Sequence, residues 1–190
     1  IHMPGVGGDI LARFGAKASV PAGGDIVAAL RSGALDAALG SGPWIDLDQG
    51  LFEAAKHLYY PGFHDSGSVL SVGINLNIWN SLDEAQQKIV SAAMSAETLA
   101  GTAEFEARNA SALETLRSVH GVGLKKFYGP ILQAIGEASG HVAAEAAAED
   151  ALARKVFVSF LGFRKNAMAW SKYSDQAFLN ARLLPFKYGE

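Results

Sequence analysis

No cysteine occurs in the 190 residues. Thiol catalysis, disulfides and thiolate metal sites are therefore excluded, although this absence says little about compartment. No apolar run approaches the roughly 18 residues a membrane-spanning helix needs, so none is expected. Charge of either sign is scarce: 16 Lys and Arg stand against 19 Asp and Glu, a net −3. Such a balance offers no electrostatic footprint for nucleic acid. What the chain does have is apolar side chains, 49% of the total, enough to bury a core and to exclude wholesale disorder. Its length suits one large domain or two small lobes.

Enzyme signatures are missing as well. Gly5-Val6-Gly7-Gly8 lacks the third glycine of a dinucleotide loop, because position 10 is Ile10. Neither a Walker motif nor His-Glu-x-x-His is present. Ser41 lies in "LGSGP", which is not a nucleophile elbow. The five histidines (His2, His57, His64, His120, His141) are scattered. His64 and Asp65 are sequence neighbours, which on a strand point to opposite faces. An α/β enzyme is thus the least favoured reading, and no cofactor is expected. The opening "IHMPGVGG" has neither an initiating Met nor a basic, apolar signal segment, so an upstream piece is expected. The pair His2-Met3 also matches what cloning leaves behind.

Short apolar runs then alternate with short helical patterns: "IHM", "GVGGDILARFGA", "KASVP", "AGGDIVAALRSG", "LDAAL". That order predicts strand, helix, strand, helix, strand and a parallel sheet. Gly-Gly-Asp-Ile occurs at 7–10 and again at 23–26, with Asp9 and Asp25 read as helix N-caps. "GSGPWIDLDQGLFEAA" reads as a loop and a helix with Pro43 in its first turn. "KHLYY" and "SVLSVGINL" read as strands flanking "PGFHDSG". From Leu82 a long helical pattern runs to about 119, with Ser81 as its cap, Glu84 in capping-box position, and Ile89, Ala93, Ala96 and Ala100 as a small-residue stripe. After a short strand at "GVGLKKF" the chain is helical nearly to its end, with a break near Glu149-Asp150. Val156, Phe160, Phe163, Ala167, Trp170, Tyr173, Ala177 and Leu184 repeat at helical spacing there, as in a core or a dimer seam.

Taken in order, "MPGVGGDILARFGA", "GGDIVAALRSGALDAA", "GPWIDL", "AAKHLYYPGFHDSGSVLSVGIN", the Trp79-to-Val90 pattern, "AEFEARNASAL" and "FRKNAMAWSKYSDQAFLNAR" closely resemble the C-terminal half to two-thirds of the solute-binding subunits of TRAP (tripartite ATP-independent periplasmic) transporters, DctP type. The resemblance covers nearly the whole chain. It implies an α/β, periplasmic-binding-protein-like fold of two lobes with long C-terminal helices, of which only the C-terminal part is expected here. Residues 1–38 would be part of the second lobe, 39–80 the loop, helix and crossing strands lining a cleft, and 81–190 a mainly helical region. The N-terminal lobe would be missing from this chain.

The same resemblance implies periplasmic capture of a small organic molecule, by default a small organic acid such as a 2-oxo acid, and delivery to membrane permease subunits. It places ligand contacts at His2, Ser41, Trp44, Phe63, His64 and Asp65. His2 stands where the family carries an arginine whose planar fork grips a carboxylate; an imidazole cannot make that paired contact. Leu39 and Gly40 replace the Glu-Trp that helps to hold a metal ion in the 2-oxo-acid group, so no metal is expected. Asp65 keeps the family's acidic contact, and Tyr59 and Tyr60 are expected in the core. The alternative function is a truncated, non-binding fragment that pairs as a homodimer through its C-terminal helix.

Overall fold

The computed structural model describes residues 1–21, 25–63 and 71–187. The chain divides into two compact units, Ile1–Ile135 and Gly136–Glu190.

In the first unit, three short extended segments lie side by side. His2 forms a parallel bridge with Ala38. Its N–H donates to the Ala37 carbonyl (2.9 Å), and its own carbonyl accepts from Leu39 N (2.8 Å). On the other side the Ile1 carbonyl accepts from Ser19 N (2.9 Å), and the Ile1 ammonium donates to the Lys17 carbonyl (2.9 Å). The first segment therefore lies between the other two, with helices α1 (Val6–Ala12) and α2 (Ile26–Arg31) as the crossovers. The expected helices are there, but among the described residues the expected strands and parallel sheet are not: no strand precedes β1 (His57–Tyr60). These segments share one isolated bridge because their pairings are too short to form ladders.

The two Gly-Gly-Asp-Ile copies do different work. Asp25 caps α2, its Oδ1 accepting from Ala28 N (2.8 Å). Asp9 is no cap: it lies inside α1, whose N-cap is Gly5 without a side-chain bond. The first copy supplies close packing instead. A methyl at Gly8 would collide with the Met3 carbonyl and stand 2.9 Å from the Ala18 Cβ. Buried Met3 and Ile10 mark the core beside it.

Helix α3 (Pro43–Asp48) opens on its proline, as expected, and a 3-10 turn at Leu51–Glu53 follows. Strand β1 (His57–Tyr60) then pairs in parallel with β2 (Gly123–Lys126), His57 opposite Gly123 and Tyr60 opposite Lys126. This is the "KHLYY" strand and the short strand of "GVGLKKF". Residues 68–70 of "SVLSVGINL" lie outside the described residues, and Ser71–Asn75 form no strand. The chain there enters helix α4 (Leu76–Ser81), with Asn75 Oδ1 accepting from Asn77 N at 2.9 Å.

Helix α5 (Glu84–Ser118) runs for 35 residues. Its cap is Asp83 and not Ser81: Asp83 Oδ1 accepts from Gln86 N (2.8 Å) while Gln86 Oε1 accepts from Asp83 N (2.9 Å). Ser81 ends α4, donating its hydroxyl to the Ile78 carbonyl. Ile89, Ala93, Ala96 and Ala100 are exposed, so among the described residues the small-residue stripe packs on nothing. The buried side of α5 lies further on, at Ala112 and Leu116.

Helix α6 (Gly129–Ala146) contains the division between the units. In the second, Asp150 caps α7 (Ala151–Ser171) through Ala153 N (2.7 Å), which puts the break where the sequence placed it. A second break at Lys172–Ser174 precedes α8 (Asp175–Arg182). No residue of α7 is buried.

Candidate functional site

His2 is held at both its backbone groups, as described, and its ring is held too. Nδ1 lies 3.3 Å from the Ser19 carbonyl. A carbonyl only accepts, so this nitrogen is the donor and Nε2 is left as the acceptor in the neutral ring. One residue further, at Leu39, the third extended segment leaves the first and turns into α3.

That turn is tightly organised. Gly42 holds φ +116°, which favours glycine, and a Cβ there would meet Phe105 Cζ at 3.0 Å and Asn109 Oδ1 at 3.1 Å. Pro43 has no N–H to satisfy, and Trp44 N donates to Asn109 Oδ1 (2.9 Å). The Trp44 ring tilts against Phe105, with centroids 6.1 Å apart, and the Arg108 guanidinium lies 4.7 Å from its centre. Arg108 Nε also bonds Glu104 Oε1 at 2.7 Å. Asp46, 9% exposed, turns back under the loop, and its Oδ1 accepts from Ser41 N (2.9 Å). Burial is the main influence on this carboxyl and pushes its pKa above the ordinary 3.8, while the Ser41 and Gly42 N–H groups pull it partly back.

Each of the predicted contacts His2, Ser41 and Trp44 is thus fixed by its own bond, to Leu39, Asp46 and Asn109 respectively. Phe63 belongs to a second cluster. Its ring stands edge-on to Phe127 (5.8 Å), and Tyr59 tilts against the same ring at 5.2 Å. His64 and Asp65 lie outside the described residues. The tyrosines are a correction: Tyr59 is 54% and Tyr60 43% exposed, because β1 has a partner on one edge only among the described residues. A shallow hollow at the end of α5, lined by Glu114, Arg117, Val122 and Leu124, contains none of the predicted contacts.

Residues 2–150 match the family of bacterial extracellular solute-binding proteins, family 7 (DctP). The chain belongs to the DctP family. It is 35% identical over 180 residues to the monocarboxylate 2-oxoacid-binding periplasmic protein of Nostoc sp., covering 95% of this chain and 49% of that one. Two TRAP periplasmic solute-binding proteins share its fold. That of Colwellia psychrerythraea, with bound calcium and pyruvate, has a TM-score of 0.85 and 29% identity over 95% of this chain and 55% of that one. That of Pseudoalteromonas atlantica, with bound sodium and pyruvate, has a TM-score of 0.81 and 28% identity over 94% and 54%. This DctP chain thus spans about half the length of these relatives, and the fold implied by its sequence, part of a two-lobed binding protein, is the one observed. Among its described residues no helix is long and apolar enough to cross a membrane.

Sequence reasoning missed Asp46, Phe105, Arg108, Asn109 and Phe127. Asp46 had a signal: it is an acid flanked by Ile45 and Leu47 in a helix opened by Gly-Pro. Asn109 had none, since its bond to Trp44 spans 65 residues.

Proposed function

We propose that this chain forms one wall of an extracytoplasmic receptor that captures a small 2-oxo acid and passes it, chemically unchanged, to a TRAP-type membrane permease. The observation that carries this reading is the 35% identity along 95% of the chain to a 2-oxoacid-binding periplasmic protein. The periplasm is the matching compartment. His2, Ser41 and Trp44 would contact the ligand from one part of the wall, and Phe63, His64 and Asp65 from another. In this reading the opposing wall is an N-terminal α/β lobe outside these residues.

In this reading the ligand is held without a metal ion, because Leu39 offers only hydrocarbon and Gly40 offers no side chain.

Titration calorimetry with pyruvate tests the proposal. Saturable one-to-one binding that survives a strong chelator is expected, with acetate binding at least tenfold more weakly. Titrations that stay flat for pyruvate would overturn it. A second reading, a non-binding homodimer joined through its C-terminal helices, is favoured by the apolar side chains that α7 leaves open, among them Phe163 at 73% and Trp170 at 68% exposure. Sedimentation at micromolar concentration distinguishes the two: a monomer that binds pyruvate excludes the second reading.

A further inference from the structure

We infer that Asp46 and Gly40 are a matched pair that sets the path of the chain from Leu39 to Trp44, making Asp46 a positioning residue for ligand at His2, Ser41 and Trp44. The inference rests on the binding role proposed above and names what shapes that wall.

The segment is pinned at three points. Leu39 N donates to the His2 carbonyl (2.8 Å), which ties it to the first extended segment. Trp44 N donates to Asn109, which fastens it to α5. Between them, the fixed point is the bond from Ser41 N to Asp46 Oδ1 (2.9 Å). Without it the three residues between Leu39 and α3 would be free to take other paths.

Asp46 is also an expensive way to fill space. A buried carboxylate costs several kcal/mol of lost hydration unless hydrogen bonds compensate, and an apolar side chain of its size would pack without that cost. Its oxygens are spent on backbone N–H groups of the loop, as a positioning role requires. Gly40 completes the pair. A methyl built there would stand 2.5 and 2.7 Å from the two carboxylate oxygens and 2.9 Å from Cγ. Gly40 is not in the left-handed region, so its backbone would accept alanine. The three atoms nearest to that methyl all belong to Asp46.

The two positions are therefore coupled, and a double-mutant cycle measures it. Gly40→Ala is expected to weaken pyruvate binding tenfold or more, by driving the carboxylate off Ser41. In an Asp46→Ala background the same Gly40→Ala change should cost less than twofold. Asp46→Asn keeps an acceptor for Ser41 N and should bind within threefold of wild type, whereas Asp46→Ala should lose about tenfold. Equal losses from Gly40→Ala in both backgrounds, or no rescue by asparagine, would overturn the inference. Amide exchange at Ser41 gives a readout independent of ligand: it should quicken in Gly40→Ala and Asp46→Ala but not in Asp46→Asn. A wild-type chain that binds no pyruvate defeats the functional reading and the positioning role with it. The pairing of Asp46 with Gly40 then stands or falls on Ser41 exchange alone.

Discussion

At the scale of single residues, Asp46 makes a claim about pH. Its carboxyl titrates above the ordinary value of 3.8, chiefly because it is buried. The folded chain therefore holds this proton more tightly than the unfolded chain does. Stability from this group is fully present below the unfolded pKa and is lost as pH rises through the folded one. Of the charged groups on the elements packed against α3, Arg108 pairs with Glu104 on α5, and Glu53 of the 3-10 turn with Arg31 of α2. Burial thus governs the sign. Denaturant unfolding of wild type and Asp46→Asn between pH 3 and 7 should show the wild type losing ground to the variant as pH rises, and a flat or reversed difference would refute it. The site was legible where its residues sit next to turn signals, as Ser41 and Trp44 do beside Gly42-Pro43. Its supports, Asn109 and Phe105, were not legible, because a helical surface asparagine looks the same in sequence whether or not an N–H from 65 residues away seeks it.

At the scale of elements, the first copy of the repeated phrase uses glycine for close packing. Gly8 lets α1 close on the first extended segment, and Gly8→Ala should destabilise the chain by about 1–3 kcal/mol, as overpacking generally does. A thermal midpoint within a degree of wild type would show that the Met3 carbonyl can yield. The helices were legible wherever a polar side chain could reach back to a free N–H, as at Asp25 and Asp150. Where two candidate caps lay two residues apart, the pair able to bond reciprocally won: Asp83 with Gln86, not Ser81 with Glu84. Ser71–Asn75, the described part of the expected "SVLSVGINL" strand before α4, failed as a strand for a related reason. Alternation marks what a segment could bury, but Asn75 offers its side chain to the N–H groups that follow and commits the chain to a helix. The exposed tyrosines of β1 show the converse, a strand whose pattern implies cover on both faces that these residues do not supply.

At the scale of the whole molecule, a chain spanning about half of its relatives leaves apolar side chains in the open. Those on α7 and α8 are numerous enough to govern its behaviour in solution, including Val156, Phe163, Trp170 and Phe178. If copies associate through them, Phe163→Glu with Trp170→Glu should shift sedimentation toward monomer at micromolar concentration, and leave pyruvate binding within about twofold. An unchanged sedimentation coefficient for an associated chain would place the contact elsewhere. The parallel pairing of β1 with β2 also has a consequence for the statistics of the chain. It joins Tyr60 to a strand that begins about sixty residues later. Closing a loop of that length from free coil costs about 4 kcal/mol of chain entropy. More than half of those residues are α5, a rod about 52 Å long once formed. Far less of the connection is then left free to wander, and the longest helix becomes the means by which two short, distant strands come to meet.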